Sequence, residues 1–191
     1  MLGKYIRKAL STLEGTKLRK LIATCAHFYR TRLISDKKYI KKMFKAKMGY
    51  ALDLENPKTL NEKIQWLKLY DRTTLHTICA DKVLVRDYVK DLIGEEYLTP
   101  LLYATKNPDY IKESDLPDVP FVVKANHDSG SYLIFNDKKE VDLIALKVKC
   151  KQWLKNNYYY ASKEWQYKNI KPLILFEKLH IEQSGLGVIK D

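Results

Sequence analysis

Lys124 ends the apolar run Phe121-Val122-Val123 and stands immediately before the polar loop Asn126-His127-Asp128-Ser129-Gly130-Ser131. A lysine within a strand is rarely fully buried without a partner. At a strand end its ammonium can reach an anion held by the adjoining loop. The competing reading is a lysine on a solvated face whose aliphatic stem covers the strand. The loop carries one glycine and two serines, and successive exposed N–H groups of this kind can donate to phosphate oxygens. An ordinary hairpin turn has a similar composition, and the spacing is not the GxxxxGK[ST] of a Walker motif. Glu177 closes another apolar run, Leu173 to Phe176. Its carboxylate could accept from a ribose hydroxyl or an adenine amino group, or could simply be exposed at a strand end.

Other residue types narrow the chemistry. His127 is the one histidine in this group; His27, His76 and His180 have no Cys or carboxylate at ligand spacing, so no metal is assigned to them. No GxSxG, HExxH or Ser/His/Asp order is read. Tyr158-Tyr159-Tyr160, with Trp165 and Tyr167, could stack on a sugar or base, or pack a loop onto its own domain.

The elements that must position these residues follow from periodicity. Phe121–Ala125 and Ser131–Phe135 read as strands that the 126–131 loop joins as a hairpin, and Leu173–Glu177 reads as a third strand. Between them, Val141 to Asn156 has helical character, with Ile144, Val148 and Trp153 among its apolar residues. Upstream, Thr59 and Glu62 stand at capping-box spacing before Leu60, Ile64 and Leu67, which share one helical face. A further helix is expected over about Asp81 to Ile93, ending at Gly94 with a left-handed cap. Glu95 to Tyr103 reads as an extended connection, interrupted by Pro100. The order strand, polar loop, strand, helix, strand implies a mixed α/β fold, specifically α+β.

Charge is distributed unevenly. The 191 residues carry a formal net charge of +12, yet residues 1–50 hold 14 Lys/Arg against Glu14 and Asp36, and residues 51–191 balance to zero. The first fifty residues look like a basic amphipathic helical segment, with Leu10, Leu13, Leu18, Leu21 and Ile22 and then Tyr39, Ile40, Met43 and Phe44 as apolar stripes. Such a segment could lie on an anionic membrane surface or pack on its own domain with its cationic face solvated. Nucleic acid is not an expected partner, because the cationic part carries no recognition motif. Cys25, Cys79 and Cys150 show no CxxC or Cys/His spacing and read as reduced thiols. Without a spanning run or a signal-like apolar start, the expected location is cytoplasmic, with the inner face of the membrane as a peripheral site. The expected division is a basic segment over 1–50, a helical subdomain over 51–116 and a nucleotide-binding lobe over 117–191.

The run from Pro57 to Asp71 (PKTLNEKIQWLKLYD), then Asp81-Lys82, Phe121–His127 (FVVKANH) and Glu164–Pro172 (EWQYKNIKP), resembles the TupA-like ATP-grasp family in family order. The likeness extends from about residue 36 to 191. It implies ATP and Mg²⁺ as cofactors and a role in synthesising bacterial surface polysaccharide such as teichuronic acid, capsule or lipopolysaccharide. It also implies carboxylate–amine ligase chemistry through an acyl phosphate, although members are often labelled glycosyltransferases. A polysaccharide precursor is then the expected co-substrate. On this resemblance Lys82 is the first nucleotide lysine and touches phosphate, and Lys124 is the second, touching phosphate and the adenine edge. His127, Ser129, Gly130 and Ser131 belong to the loop that closes over the phosphates. Glu177 takes the adenine amino group, and Lys178 and Leu179 continue the hinge, the Leu179 backbone reading the ring. Asp128 departs from the pattern where glycine is expected, adding negative charge beside the phosphates. Fourteen residues follow Glu177. The expectation is therefore the nucleotide half of an ATP-grasp fold, truncated before the metal-binding lobe, without Mg²⁺ ligands and with impaired turnover.

Overall fold

The computed structural model describes residues 17–180. The chain divides into two compact units, Met1–Tyr70 and Asp71–Asp191. Leu10 and Leu13 of the basic segment lie outside the described residues, as do residues 181–191.

In the first unit, helix α1 (Lys17–Phe28) is followed by α2 (Asp36–Met48) and α3 (Leu60–Tyr70). Ile40 and Phe44, one turn apart on α2, are buried against Leu52 and Leu54, with Leu69 of α3 packed alongside. Phe44 also meets Tyr50 edge-on, with ring centroids 5.1 Å apart. Ile40 and Phe44 are thus spent on a small core, whereas Leu21 and Met43 of the same apolar stripes are exposed and the lysines of α2 point outward. No helix among the described residues is long and apolar enough to cross a membrane.

Helix α3 starts as its sequence dictates. Glu62 Oε2 accepts from the backbone N–H groups of Lys58 (2.9 Å) and Thr59 (2.8 Å), while the Glu62 N–H donates to Thr59 Oγ1 at 3.3 Å. These bonds satisfy N–H groups that a helix start leaves orphaned.

The second unit holds α4 (Thr74–Ala80) and α5 (Leu84–Ile93), then four strands: β1 (Leu101–Thr105), β2 (Phe121–Ala125), β3 (Tyr132–Phe135) and β4 (Ile174–Lys178). Helices α6 (Leu143–Lys155) and α7 (Tyr158–Ser162) lie between β3 and β4 in the chain. The strands pair in the order β1-β4-β2-β3, antiparallel throughout, so the fold is α+β. The stretch Glu95 to Tyr103, read as an extended connection, opens with a 3-10 turn at Glu95–Tyr97, and β1 overlaps its end and runs on to Thr105. The expected helix from Asp81 begins instead at Leu84, after a turn at Asp81–Val83. Gly94 ends it at φ +113°, ψ 158°, an extended conformation rather than the expected left-handed helical one. A Cβ there would meet only the end of the exposed Glu96 side chain, which can swing away, so it is the positive φ that calls for glycine.

One face of the sheet is the core. Tyr103, Phe176, Phe121 and Phe135 form an aromatic row that crosses all four strands in their spatial order, with successive centroids 5.3, 5.7 and 5.3 Å apart. Each such pair contributes roughly 0.5–1.5 kcal/mol beyond its buried area. Leu146, Cys150 and Trp153, at helical spacing on α6, close over this face. Asp142 caps α6, its Oδ1 accepting from Ala145 N–H at 2.9 Å. Burial pushes the Cys150 thiol up to about 12.

The Thr59–Glu62 box yields a test. Thr59→Ala should destabilise the protein by ~1 kcal/mol, read as a lower urea midpoint. Hydrogen bonds, first from the Thr59 N–H, hold the Glu62 carboxyl below its ordinary range. Its contribution is therefore present at neutral pH and lost as pH falls through that lowered value. Glu62→Gln should be less stable than the natural protein at pH 7 and indistinguishable from it in acid.

Candidate functional site

Alternation along the strands sends Val122 and Lys124 to the face of the sheet opposite the aromatic row. Cross-strand partners share a face, so Tyr132 opposite Lys124, and Ile134 and Glu177 opposite Val122, lie there too. This face opens into a cleft of ≈ 470 Å³ lined by Lys82, Lys124, Asp128, Ser129, Gly130 and Ser131, with Val122, Tyr132, Cys79 and Tyr167 among its remaining walls.

Lys82 sits in the turn between α4 and α5, and its Nζ donates to the Asp128 carbonyl at 2.5 Å. Burial is the main influence on this ammonium and lowers its pKa, opposed by Asp128 and reinforced by the neighbouring Lys124. Lys124 Nζ is ion-paired with Glu177 Oε2. The other Glu177 oxygen lies 3.6 Å from Arg86 Nη1, and Arg86 is anchored by a 2.6 Å bond from Nη2 to the Thr99 carbonyl. Three cations and one buried carboxylate thus meet at this end of the sheet.

The loop is held from behind by Asn126, which is 0% exposed. Its backbone N–H donates to Leu173 O at 3.0 Å, and its Oδ1 accepts from Leu173 N–H at 2.7 Å. Its Nδ2 donates to Asp81 Oδ1 at 2.9 Å and to Lys171 O at 3.0 Å, and its carbonyl accepts from Lys82 N–H at 3.3 Å. Asp81 in turn accepts from Val83 N–H, closing the turn that carries Lys82.

Beyond Asn126 the loop faces the cleft through Ser129 and Gly130, both exposed. Their backbone N–H groups donate to nothing among the described residues. Gly130 adopts φ +100° with open space around it, so backbone conformation alone calls for glycine here. The Ser131 hydroxyl donates to Asp128 Oδ2. Asp128 Oδ1 is buried and has no hydrogen-bond partner, a costly state for a carboxylate oxygen. The negative charge expected over the phosphate position is turned inward, and the Asp128 carbonyl rather than its carboxylate receives Lys82.

Not every expected residue reaches the cleft. His127 is 1% exposed and turned into the core, with Nδ1 3.1 Å from Asn126 Oδ1 and Nε2 3.2 Å from the carbonyls of Trp153 and Asn156. It lies against the Trp153 and Asn156 carbonyls at the end of α6, the first of which also accepts from the Asn156 N–H, rather than facing phosphate. The N–H groups of Lys178 and Leu179 are committed to Pro100 O and Pro120 O at 3.0 and 2.9 Å. Neither residue lines the cleft, and the Leu179 amide is not open to a base. Tyr158, Tyr159, Tyr160 and Trp165 pack among themselves and with lysine and arginine side chains, whereas Tyr167 reaches the cleft, where burial raises its phenol. Arg86 and Asn126 were not singled out from the sequence. The position of Arg86, four residues after Lys82, was the available signal, since that spacing shares a helical face.

Two lysines on separate elements and a glycine-containing loop with open amides surround one cleft; Glu177 does not line it and reaches it only through its ion pair with Lys124. The family model for TupA-like ATPgrasp matches residues 62–191. The chain belongs to the TupA-like ATP-grasp family. No curated protein and no solved structure matches it significantly. The family implies a nucleotide ligand, and the residues around the cleft fit one: Lys82 and Lys124 could meet phosphate charge, and the Ser129 and Gly130 amides could donate to phosphate oxygens. Mg²⁺ finds no cluster of three or more His, Cys, Asp or Glu among the described residues.

Asn126→Ala should lower stability by roughly 2–5 kcal/mol, because it strands the Asp81 carboxylate, the Lys171 carbonyl and the Leu173 N–H together. Denaturant unfolding measures this. Asn126→Asp should be no better tolerated, since it replaces both amide donors with a second carboxylate facing Asp81.

Proposed function

We propose that this protein binds ATP in the cleft above β2 and β3 and serves bacterial surface-polysaccharide synthesis as an ATP-grasp carboxylate–amine ligase. The observation that carries this reading is the convergence of Lys82, Lys124 and the open Ser129 and Gly130 amides on one cleft. The triphosphate would lie against those groups. The base and ribose would extend along Val122 and Ile134 toward Glu177, whose carboxylate can accept from an amino group or a hydroxyl. Lys82 and Lys124 would hold the terminal phosphate while a substrate carboxylate attacks it, forming an acyl phosphate and releasing ADP. An amine then displaces phosphate to give the amide. A polysaccharide precursor bearing the carboxylate or the amine is the co-substrate this chemistry calls for. Mg²⁺ bound with the nucleotide would supply further neutralisation of the transferring phosphoryl group.

Isothermal titration with ATP tests the reading. Lys82→Ala and Lys124→Ala should each weaken ATP binding by roughly 10–100-fold, as expected for loss of a charge-assisted contact. Absence of any binding at millimolar ATP, or preferential binding of a nucleotide-sugar, would overturn it.

The pH dependence has a definite sign. Because burial lowers the Lys82 ammonium, its positive charge is lost at a lower pH than an ordinary lysine's. ATP affinity should therefore decline as pH rises through that lowered value, and Lys82→Arg should remove the decline. Thiol labelling gives a further check: ATP should slow alkylation of Cys79 in the cleft wall, while buried Cys150 stays unreactive until the protein unfolds.

A further inference from the structure

Glu177 is the group on which the two sides of the site compete. Its carboxylate is buried, with a side chain only 8% exposed, and each oxygen faces a different cation. Lys124 holds Oε2, and Arg86 stands 3.6 Å from Oε1. The two cations are not equivalent. Arg86 comes from α5, is pinned to the Thr99 carbonyl at 2.6 Å and does not line the cleft. Lys124 is 27% exposed, sits on a flexible stem and lines the same cleft as the open loop amides. An anion arriving among those amides draws Lys124 but cannot draw Arg86.

We propose that Arg86 is a positioning residue that frees Lys124 for the nucleotide's phosphates by remaining behind as the counterion of Glu177. The inference rests on the nucleotide reading given above. A buried carboxylate stripped of its only cation is strongly disfavoured, whereas one that keeps a fixed guanidinium is not. With Arg86 in place, Lys124 can exchange Glu177 for phosphate without leaving an uncompensated charge in the protein. Without Arg86, Lys124 is the one cation left in ion-pair contact with Glu177 among the described residues, and every phosphate contact it makes must first break that pair. Arg86 thus acts on phosphate binding through Glu177 and Lys124, without touching the nucleotide.

The predicted signature is confined to the phosphates. Dissociation constants for ATP and for adenosine are measured by titration calorimetry on the natural protein, Arg86→Gln, Arg86→Lys, Glu177→Gln and the double variant Arg86→Gln/Glu177→Gln. The informative quantity is the ratio of ATP to adenosine affinity, which isolates the phosphate contribution from the base. Arg86→Gln should lower this ratio about tenfold, Arg86→Lys should retain most of it, and the double variant should restore it, because Lys124 then has no carboxylate to leave. An unchanged ratio in Arg86→Gln, with ATP still bound by the natural protein, overturns the role of Arg86 and leaves the nucleotide reading standing. A lowered ratio that the double variant does not restore also overturns it, since a merely structural loss is not relieved by removing Glu177's charge. If the natural protein binds no ATP, the nucleotide reading fails and this inference falls with it.

Discussion

The side chain of Asn126 faces two demands that only a carboxamide meets together. Its oxygen must accept from the Leu173 N–H while its nitrogen donates to the Asp81 carboxylate and the Lys171 carbonyl. Aspartate has no donors and leucine no polar atoms, so neither could hold both sides. Through these bonds the end of β2, the start of β4 and the turn before α5 are fixed to one another. Lys82 rides on that turn, Lys124 ends β2, and Glu177 lies on β4. The geometry of all three charged groups therefore depends on one fully buried amide, whose polar atoms are satisfied as the low interior dielectric requires.

The sheet separates packing from chemistry by its two faces. On one side, aromatic rings run from β1 to β3 across β4 and β2, and α6 seals them from water. On the other, the strand alternation places Lys124 and Val122 at the cleft and Glu177 beside them on the same face. A shift of one residue in the β2–β4 register would exchange these sets, putting Lys124 into the core and phenylalanine into the cleft. The aromatic row, which such a slip would expose, is thus what keeps the lysine on the side where it can act. His127 adds to the same division: it closes the end of α6 from the core side, while Ser129 and Gly130, two and three residues later, are exposed at the cleft.

The TupA-like ATP-grasp family is carried by residues 62–191, which include both lysines, the loop and Glu177. The basic N-terminal residues 1–50 lie outside this match. In their described part, α2 follows ordinary globular logic, with Ile40 and Phe44 buried and the lysines solvated.

Much of this was legible in the chain itself. Short continuous apolar runs bounded by polar turns marked β2, β3 and β4, and the Thr59–Glu62 spacing marked the start of α3, because both signals lie within a few residues of chain. The motif strings were enough to reach the family and to single out Lys82, Lys124 and Glu177. The first three residues of β1 were read only as the end of an extended connection, because the strand carries no local signal of its own and gains its identity by pairing with β4, about seventy residues away. Tertiary structure alone decided which way loop residues turned. His127 and Asp128 are polar and adjacent to the cleft in sequence, yet both are buried, because α6 offers His127 two carbonyls and Ser131 offers Asp128 a hydroxyl. The same holds for Arg86, whose importance lies in reaching Glu177 across ninety-one positions of sequence. Spacing along a chain records which groups can act; only the folded backbone brings distant charges within a few ångströms and so determines which of them compete.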